Sequence, residues 1–477
     1  MREKANDAST RNPSPQMKFC FLLVLSIIIV RTLTSCSKSP STNPKDQHVI
    51  LISLDGFPAW LWNDESLQIP NLRKLAAEGA STKAMTVSNP SITWINHTTL
   101  VTGVEPRKHG VLFNGLLVRQ GDNKPPKIEQ WADKTRLVFA PTLYDIAHEA
   151  GLTTAESDWV AVTKAKTIDW SFAELPEAEG KVEKEMIAAG EIKPEHITWM
   201  QLGPQRKSVT FLDNMWTKAA IHIFKTHKPN LLLYHTLNTD STHHTYGPGS
   251  MASATALAYA DRLVGDLVKA VEDSGLRDST TFIIATDHGF KKVTKIILPN
   301  VELKKAGLAQ GLGPTINTCD AYSMTQGGMA FVYITNPARK AELLPQLKEM
   351  FAKTEGVDRV IEGKDGHTLG MPMPEENPGM GDLVLYAKPG YAFKNDAGGD
   401  ATVTPSVNYA GTHGYFNGDP ELDGIFIASG RGIKKGIVLD RMANLDVAPT
   451  IAKLMSLKLP NADGRVLDEI LISADKK

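Results

Sequence analysis

The chain has 477 residues, 42% of them hydrophobic, and its 52 basic residues nearly balance its 53 acidic ones. This length suggests two or three domains, or one large α/β domain with insertions, and it allows a large buried core. The net charge of -1 argues against a partner such as a nucleic-acid polymer held by bulk electrostatics, and three cysteines cannot build a disulfide scaffold.

A short apolar segment near the N-terminus has the pattern of a targeting signal. The run Phe19–Val30 is apolar or small and is closed by Arg31, so it is too short to span about 30 Å of hydrocarbon. The following Leu33-Thr34-Ser35-Cys36 resembles the bacterial lipobox, in which the cysteine is acylated and becomes the new N-terminus. An ordinary secretory signal and a short membrane anchor are the alternatives.

This pattern predicts how the mature chain begins and where it resides. Residues 1–36 are predicted to be a signal peptide with its lipobox, and residues 37–47 a polar tether rich in Pro and Ser. Lipid on Cys36 would anchor the protein to a membrane of the bacterial cell envelope, facing the periplasm or the cell exterior. With Cys20 removed and Cys36 lipidated, only Cys319 remains, so no intrachain disulfide is expected.

Four continuous apolar runs predict strands of a sheet that is covered on both faces. These runs are Val49–Leu54, Leu231–Tyr234, Phe282–Ala285 and Ile425–Ala428. Helical patterns lie between them, at Pro70–Glu78, Pro141–Ala150, Met215–Thr226, Met251–Ser274 and Leu445–Met455. Strands that alternate with helices predict an α/β fold with an open, mostly parallel sheet and helices on both faces.

One part of the chain differs in composition from the rest. Residues 291–400 are richer in Gly and Pro, with Pro372, Pro374 and Pro378 close together. We predict an inserted subdomain over residues 291–400, within an α/β core formed by residues 48–290 and 401–477.

Carboxylates and imidazoles gather near the predicted strand ends, where ligands collect in sheets of this kind. Asp240 and His244 are four residues apart, so on a helical turn they share a face. Taken singly, each such residue is more often a cap or a structural side chain. Together, histidine nitrogen and carboxylate oxygen suit zinc, with manganese or iron less favoured. The candidate ligands are Asp55, Asp240, His244, Asp287, His288 and His413.

A candidate nucleophile lies in the segment Ser91–His97, which precedes a helix-like stretch ending at Gly103. Thr93 near a helix N-terminus would sit in a positive partial field that favours an anion. Its hydroxyl becomes a nucleophile when a base or a metal activates it, and Asn96 could donate to a developing oxyanion. On the residues alone, the competing interpretation is that Thr93 is an N-cap.

Several motifs follow one another in a characteristic order. They are Leu54-Asp55-Gly56, the segment from Thr93 to Gly103, the segment from Asp240 to Pro248, Thr286-Asp287-His288-Gly289, and the segment from Gly411 to Tyr415. In this order and at these spacings they resemble the type I phosphodiesterase/nucleotide pyrophosphatase family, of the alkaline phosphatase superfamily. The resemblance covers about residues 47–290 and 405–470.

The resemblance implies an alkaline-phosphatase-like fold and a pair of zinc ions. One ion would be held by Asp240, His244 and His413, and the other by Asp55, Asp287 and His288, with Thr93 as a further ligand. Thr93 would attack phosphorus and form a phosphothreonine, which an activated water would then cleave. Asn96 would donate a hydrogen bond to a non-bridging phosphate oxygen.

Three positions in or near these motifs leave alternatives open. Trp94 stands where the family has Phe, and it could either stack on a flat leaving group or pack in the interior. Trp159 is a further candidate substrate contact. His243 replaces the Gly before His244 and could be the ligand instead, although the spacing from Asp240 favours His244.

The resemblance also bears on the kind of phosphate ester. Related threonine-dependent monoesterases carry a Lys-x-Arg pair that neutralises the additional phosphate charge, whereas this chain has Glu156-Ser157-Asp158-Trp159-Val160 in the corresponding stretch. We therefore predict a metal-dependent phosphodiesterase/nucleotide pyrophosphatase that acts on small phosphoesters, including nucleotides. The alternatives are a phosphomonoesterase or phosphonate hydrolase of the same superfamily, and a catalytically silent, lipid-anchored binding protein.

Overall fold

The computed structural model describes residues 44–202 and 208–473 of the chain. The predicted signal peptide, its lipobox with Cys36 and most of the tether lie outside these residues, so the lipid anchor and the envelope location stay predictions. Within the described residues, no helix has both the length and the apolar character needed to cross a membrane. The described residues belong to one compact unit, and the subdomain boundaries at 291 and 400 stay a prediction.

An eight-stranded sheet organises the α/β core. Across the sheet the strands follow the order Ile437–Leu439, Ala80–Thr82, Phe426–Gly430, Thr280–Ala285, His48–Leu54, Leu231–Thr236, Thr154–Ser157 and Trp170–Phe172. The central strand His48–Leu54 pairs in parallel with both of its neighbours. Phe426–Gly430 runs antiparallel to the strands beside it, so the prediction of a mostly parallel sheet is confirmed, with this strand as its exception.

The central strand explains why its sequence is continuously apolar. Ile50 and Ile52 pack into one buried cluster with the helix Val209–His227. Val49 and Leu51 pack into a second cluster on the opposite face. Because successive side chains of a strand point to opposite faces, a sheet with helices on both sides needs apolar residues at every position.

The α-helices have the following bounds: Ala59–Trp62, Pro70–Ala77, Thr93–Thr102, Pro106–His109, Lys134–Leu137, Leu143–Glu149, Lys181–Ala188, Pro194–Met200, Val209–His227, Asn238–Tyr246, Met251–Asp273, Pro299–Lys305, Lys340–Lys353 and Val447–Leu454. Short 3-10 segments lie at Pro44–Asp46, Arg277–Ser279, Pro337–Arg339, Gly363–Leu369, Pro420–Leu422 and Asn444–Asp446. The helix Val209–His227 begins well before the predicted start at Met215, because the polar residues of its first turns interrupt the apolar pattern on which the prediction relied.

A second, antiparallel sheet lies within the region predicted as an insertion. Its four strands, in spatial order, are Ala321–Gln326, Met329–Ile334, Leu383–Ala387 and Val357–Glu362. The helix Lys340–Lys353 contributes Leu343, Leu347 and Phe351 to the buried cluster that includes residues of these strands. A smaller sheet around Lys291–Ile297 joins Gly390–Phe393, Val403–Pro405 and Gly411–Thr412.

The remaining strands form three short pairs. They are Met85–Thr86 with Met442–Ala443, Leu116–Val118 with Lys127–Glu129, and Ala309–Gln310 with Thr318–Cys319. Cys319 is a free, buried thiol among the described residues.

Candidate active site

Three buried carboxylates follow three adjacent parallel strands at the same edge of the sheet. Asp55 follows His48–Leu54 directly, and Asp287 follows Thr280–Ala285 after one further residue. Asp240 lies in the first turn of the helix Asn238–Tyr246, just after the strand Leu231–Thr236. Parallel pairing in register brings the carboxyl ends of these strands together.

The first group of candidate ligands is fully buried. The Nε2 atom of His288 lies 3.4 Å from Oδ1 of Asp55 and 3.2 Å from Oδ2 of Asp287. The other oxygen of Asp287 accepts hydrogen bonds from the backbone N–H of Gly56, at 3.1 Å, and of His288, at 3.0 Å. Oδ2 of Asp287 therefore points into the group while Oδ1 is held by the backbone.

The second group surrounds Oδ1 of Asp240. Nε2 of His244 is 3.4 Å from this oxygen, and Nε2 of His413 is 3.6 Å from it. The rings of His413 and His288 stack with their centroids 3.6 Å apart, so the two groups adjoin. The structure thus brings all six predicted ligands together.

In each of the three histidines, the ring nitrogen away from the site is held by the backbone. The Nδ1 atom of His244 donates a hydrogen bond of 2.9 Å to the carbonyl of Gly411. The Nδ1 atom of His288 donates one of 3.2 Å to the carbonyl of Gly289, and that of His413 donates one of 3.0 Å to the carbonyl of Ser91. Nδ1 therefore carries the proton and Nε2 offers its lone pair, as in histidines that ligate metals.

The same arrangement leaves buried oxygens without hydrogen-bond partners. Among the described residues, these atoms include Oδ1 of Asp55, Oδ1 of Asp240 and Oδ2 of Asp287. Burying a polar atom without a hydrogen-bond partner costs folding free energy. A cation placed between the histidine lone pairs and the carboxylate oxygens would remove this cost, because it attracts both. Ligand atoms about 2.1 Å from a tetrahedral ion lie about 3.4 Å apart, which matches the spacings within both groups. The residues therefore fit metal ions.

Two ways of dividing the ligands are open, because His288 also lies close to Asp240 and His413. The contacts of His288 with Asp55 and Asp287 are the shorter ones, at 3.4 and 3.2 Å. The single lone pair on Nε2 can bind one ion. If His288 binds the ion held by these carboxylates, His244 completes the group of Asp240 and His413. This division is the one that the family resemblance implied.

Removing metal should make folding stability depend on pH in a characteristic direction. Burial raises the pKa of Asp240 to about 6 and raises that of Asp55 well above its ordinary value of 3.8. The folded, metal-free chain therefore binds these protons more tightly than the unfolded chain, so these two carboxyls stabilise it increasingly as the pH falls through about 6 towards 4.

Burial lowers the pKa values of His288 and His413, which opposes this gain, so from pH 7.5 to pH 5.5 we expect the Tm of chelated protein to fall less than that of zinc-loaded protein. The Tm of zinc-loaded protein should fall over the same range, because protons compete with the metal for its ligands. Differential scanning calorimetry of both forms measures this difference. Buried carboxyls outside the site contribute equally to the chelated and the zinc-loaded form, so their effects cancel when the two are compared. A chelated form that loses as much stability as the loaded form does would contradict the assignment of these carboxylates.

Thr93 is placed beside the first group of ligands. Its Oγ1 lies 3.4 Å from Nε2 of His288, and Thr93 is the first residue of the helix Thr93–Thr102. The N-cap of this helix is Ile92, which makes no side-chain capping bond, so Thr93 is not a cap. The hydroxyl is left at the N-terminal end of the helix, next to the buried carboxylates and imidazoles.

Asn96 does not reach the site in the predicted role. Its Oδ1 accepts hydrogen bonds from the backbone N–H of Ser88 and from the Asn444 amide, at 2.8 and 2.7 Å. Its Nδ2 donates to the carbonyls of Pro90 and Ile92, at 3.1 and 3.0 Å. With both donors engaged and the side chain buried, Asn96 has no hydrogen to offer a phosphate oxygen; it holds the turn before the helix.

The amide that stands next to the nucleophile is Asn114. Its Oδ1 accepts a hydrogen bond of 3.1 Å from the backbone N–H of Trp94, the residue after Thr93. Asn114 is exposed, and its NH2 group has no protein partner among the described residues. The sequence does not identify this residue, because nothing in its local pattern ties it to Thr93.

The two predicted aromatic contacts are buried. Trp94 packs with Ile92, Ile95 and other apolar residues, and its ring lies 5.9 Å from that of Trp131. Trp159 is buried, with its ring 4.8 Å from the ring of His97. The structure therefore favours packing over substrate stacking for both.

His243 is fully engaged away from the ligand groups. Its Nδ1 donates to the carbonyl of Gly56 at 3.0 Å, and its Nε2 lies 2.6 Å from Oγ of Ser253. Neither nitrogen is left for a metal, so the alternative to His244 is not supported.

A buried histidine behind Asp55 was also missed. Nε2 of His235 lies 3.1 Å from Oδ2 of Asp55, and its Nδ1 lies 3.1 Å from Oδ2 of Asp158. Burial opposes the charged ring, yet the two carboxylates raise the pKa of His235 well above its usual value. Because His235 bonds the oxygen of Asp55 that faces away from His288, it orients this carboxylate for the site.

We expect His235→Gln to weaken metal binding by about 10–100-fold, the usual cost of losing a residue that orients a metal ligand. Competition with a chelator of known affinity measures the change. The matched control is His109→Gln, a buried histidine that interacts with Thr99 at 3.2 Å and is not among the ligand groups. Equal metal affinity in His235→Gln and wild type would show that His235 only fills space.

Comparisons with known proteins bear on the identity of the chain. The sequence model of the type I phosphodiesterase / nucleotide pyrophosphatase family matches residues 49–416. Ectonucleotide pyrophosphatase/phosphodiesterase family member 7 of Rattus norvegicus is 24% identical over 450 residues, which cover 93% of this chain and 91% of that protein. A venom phosphodiesterase of Macrovipera lebetinus is 26% identical over 256 residues, covering 52% of this chain and 26% of that protein.

Solved structures show the same fold. Human ectonucleotide pyrophosphatase/phosphodiesterase 5 gives a TM-score of 0.66 at 19% identity, over 90% of this chain and 100% of that chain. The murine counterpart, an inactive variant in complex with AMP, gives 0.66 at 16% identity, over 89% and 100%. The predicted alkaline-phosphatase-like α/β fold is confirmed.

Proposed function

Because this chain belongs to the type I phosphodiesterase/nucleotide pyrophosphatase family, and so is a hydrolase of phosphoester bonds, we propose that it cleaves phosphodiester or phosphoanhydride bonds through a phosphothreonine on Thr93. The observation that carries the proposal is the position of the Thr93 hydroxyl, 3.4 Å from His288 within a cluster of buried, unpartnered carboxylate oxygens. The family is metal-dependent, and a small phosphoester, including nucleotides, is the proposed substrate.

The proposed cofactor is a pair of zinc ions. The first ion would be held by two carboxylates and one histidine, Asp55, Asp287 and His288, with Thr93 as a further ligand. The second ion would be held by one carboxylate and two histidines, Asp240, His244 and His413. When bound, zinc lowers the pKa of a bound hydroxyl or water and neutralises phosphate charge.

The protein groups account for the remaining steps. Oγ1 of Thr93, having released its proton to solvent, forms a bond to phosphorus as the bond to the leaving oxygen breaks, and the leaving group takes up a proton from solvent. Water then attacks the phosphothreonine, releases phosphate or a phosphomonoester, and returns the hydroxyl of Thr93. The helix N-terminus at Thr93 favours the negative phosphate oxygens throughout.

Asn114, rather than Asn96, is proposed to donate a hydrogen bond to a non-bridging phosphate oxygen. Asn114→Ala should lower kcat/KM by about 100–1,000-fold, the usual cost of losing a donor to developing oxyanion charge, with Tm nearly unchanged. Asn96→Ala should instead lower Tm, because it breaks buried hydrogen bonds to the turn before the helix. Steady-state kinetics and thermal melts of both variants check this, and the opposite pattern would return the donor role to Asn96.

A preference for diesters is inferred from the stretch that corresponds to the Lys-x-Arg pair of related monoesterases. Asp158 is buried and contacts His235, while Glu156 accepts a hydrogen bond from the backbone N–H of Trp159 at 2.9 Å. This stretch has acidic side chains in place of the cationic pair, so it provides no cation to balance the additional charge of a monoester.

The test compares two chromogenic esters. Purified protein should hydrolyse bis-p-nitrophenyl phosphate with a higher kcat/KM than p-nitrophenyl phosphate, and a chelator should abolish both activities. A preference for the monoester would refute the proposed substrate class, and full activity after verified metal removal would refute the metal-dependent mechanism.

A further inference from the structure

A second cluster of histidine and carboxylate side chains lies outside the active site. Glu185 comes from the helix Lys181–Ala188, and His222 and His227 come from the helix Val209–His227. One ligand atom from each of these three residues lies within 4.8 Å of the other two. No step of the proposed reaction uses these residues.

The contacts in this cluster centre on one carboxylate oxygen. Oε2 of Glu185 lies 2.6 Å from Nε2 of His227 and 3.4 Å from Nε2 of His222. The spacing to His222 is that of two ligand atoms around a tetrahedral ion. The contact with His227 is a hydrogen bond, and a bound cation would take the place of its proton.

A fourth residue sets the orientation of His222. Nδ1 of His222 lies 2.9 Å from Oε2 of Glu191, so the ring donates its Nδ1 proton to that carboxylate. The lone pair of Nε2 then faces Glu185. A carboxylate behind the histidine that fixes its tautomer is the usual arrangement of zinc-binding histidines.

The ring of His227 is also held in place. It stacks on Trp170, with centroids 4.4 Å apart and an interplanar angle of 14°. The side chains of His222 and His227 are only 6% and 15% exposed. Packing therefore fixes both histidine rings before an ion binds, so less side-chain entropy is lost when the ion binds.

We propose that Glu185, His222 and His227 bind a divalent metal ion of the zinc class, with Glu191 positioning His222. Two imidazole nitrogens and a carboxylate oxygen are the donor set that zinc prefers. The two carboxylates carry two negative charges, which a divalent ion balances when both rings are neutral. The ion would join the helix Lys181–Ala188 to the C-terminal end of the helix Val209–His227, so its role is structural.

The test is the zinc content of the full chain after equilibrium with a zinc buffer, measured by elemental analysis. Wild type is compared with His227→Gln, Glu185→Gln and the control His367→Gln, an exposed histidine whose contact is with the carbonyl of Lys364. We expect one zinc equivalent fewer in the first two variants and no loss in the control. Glu191→Gln should keep the site but weaken its zinc affinity by about 10–100-fold.

Hydrolysis of bis-p-nitrophenyl phosphate by the same samples keeps this result separate from the proposed function. Activity per molecule should remain within about twofold of wild type, because the cluster is not part of the active site. Equal zinc content in wild type, His227→Gln and Glu185→Gln would overturn the proposal and leave an ion-pair network of protonated histidines. If one variant fails to fold, as circular dichroism would show, the other decides.

Discussion

Thr93→Ala should lower kcat by about 10,000-fold or more, because it removes the hydroxyl beside His288 that is proposed to form the phosphoenzyme. Metal content and Tm should stay close to wild type. The Thr93 hydroxyl makes no capping bond, and its described contact is the 3.4 Å approach to Nε2 of His288. Steady-state kinetics, elemental analysis and thermal melts of one preparation measure all three quantities.

Two variants sharpen this experiment. Thr98→Ala is the matched control, since Thr98 lies on the same buried helix and donates to the carbonyl of Trp94 at 2.7 Å. It should keep activity within a few-fold and lose a little stability. Thr93→Ser should retain measurable turnover, and acid-quenched wild type should carry a phosphoryl group on the Thr93 peptide. Turnover by Thr93→Ala, or loss of its fold, would refute the nucleophile assignment.

The second large effect is expected from Asp287→Asn. The amide keeps an oxygen to accept from the backbone N–H of Gly56, a bond of 3.1 Å, but it removes the charge that faces His288. We expect kcat/KM to fall by at least about 1,000-fold, with the loss of one metal equivalent per chain.

The stability of this variant provides a separate readout. In the chelated state Asp287→Asn should be at least as stable as wild type, because it removes one charge from a buried cluster whose mutual repulsion contributes to the raised pKa of Asp55. With zinc it should be less stable than wild type. Asp261→Asn is the control: Asp261 accepts from the backbone N–H of Leu72 at 2.7 Å, so this change should lower Tm and leave metal content intact. Equal metal content in Asp287→Asn and wild type would contradict the ligand assignment.

The sequence predicted the centre of the sheet well and its edges poorly. The run Val49–Leu54 is apolar at every position because both of its faces are covered, and that signal is unambiguous. The edge strands Trp170–Phe172 and Ile437–Leu439 are short and carry exposed residues, so they have no comparable pattern. The antiparallel direction of Phe426–Gly430 could not be predicted either, because an apolar run does not encode the direction of its pairing.

The predicted ligands assemble because each lies at or near a strand end, and topology gathers those ends at one edge. The residues that the sequence analysis missed act through long-range contacts. Asn114 meets the helix start through the backbone of Trp94, and His235 lies behind Asp55 at the end of a neighbouring strand. The role predicted for Asn96 rested on its spacing from Thr93, which says nothing about which groups occupy its amide.

The most direct test of two cations beside Thr93 is anomalous diffraction at the zinc edge from crystals of zinc-loaded protein. We predict two peaks about 3.5–4 Å apart at the sheet edge, each contacting one of the two ligand groups, with Oγ1 of Thr93 at the peak shared by Asp55, Asp287 and His288. Crystals of active protein with no anomalous peak at these side chains, or with a single peak there, would contradict the account.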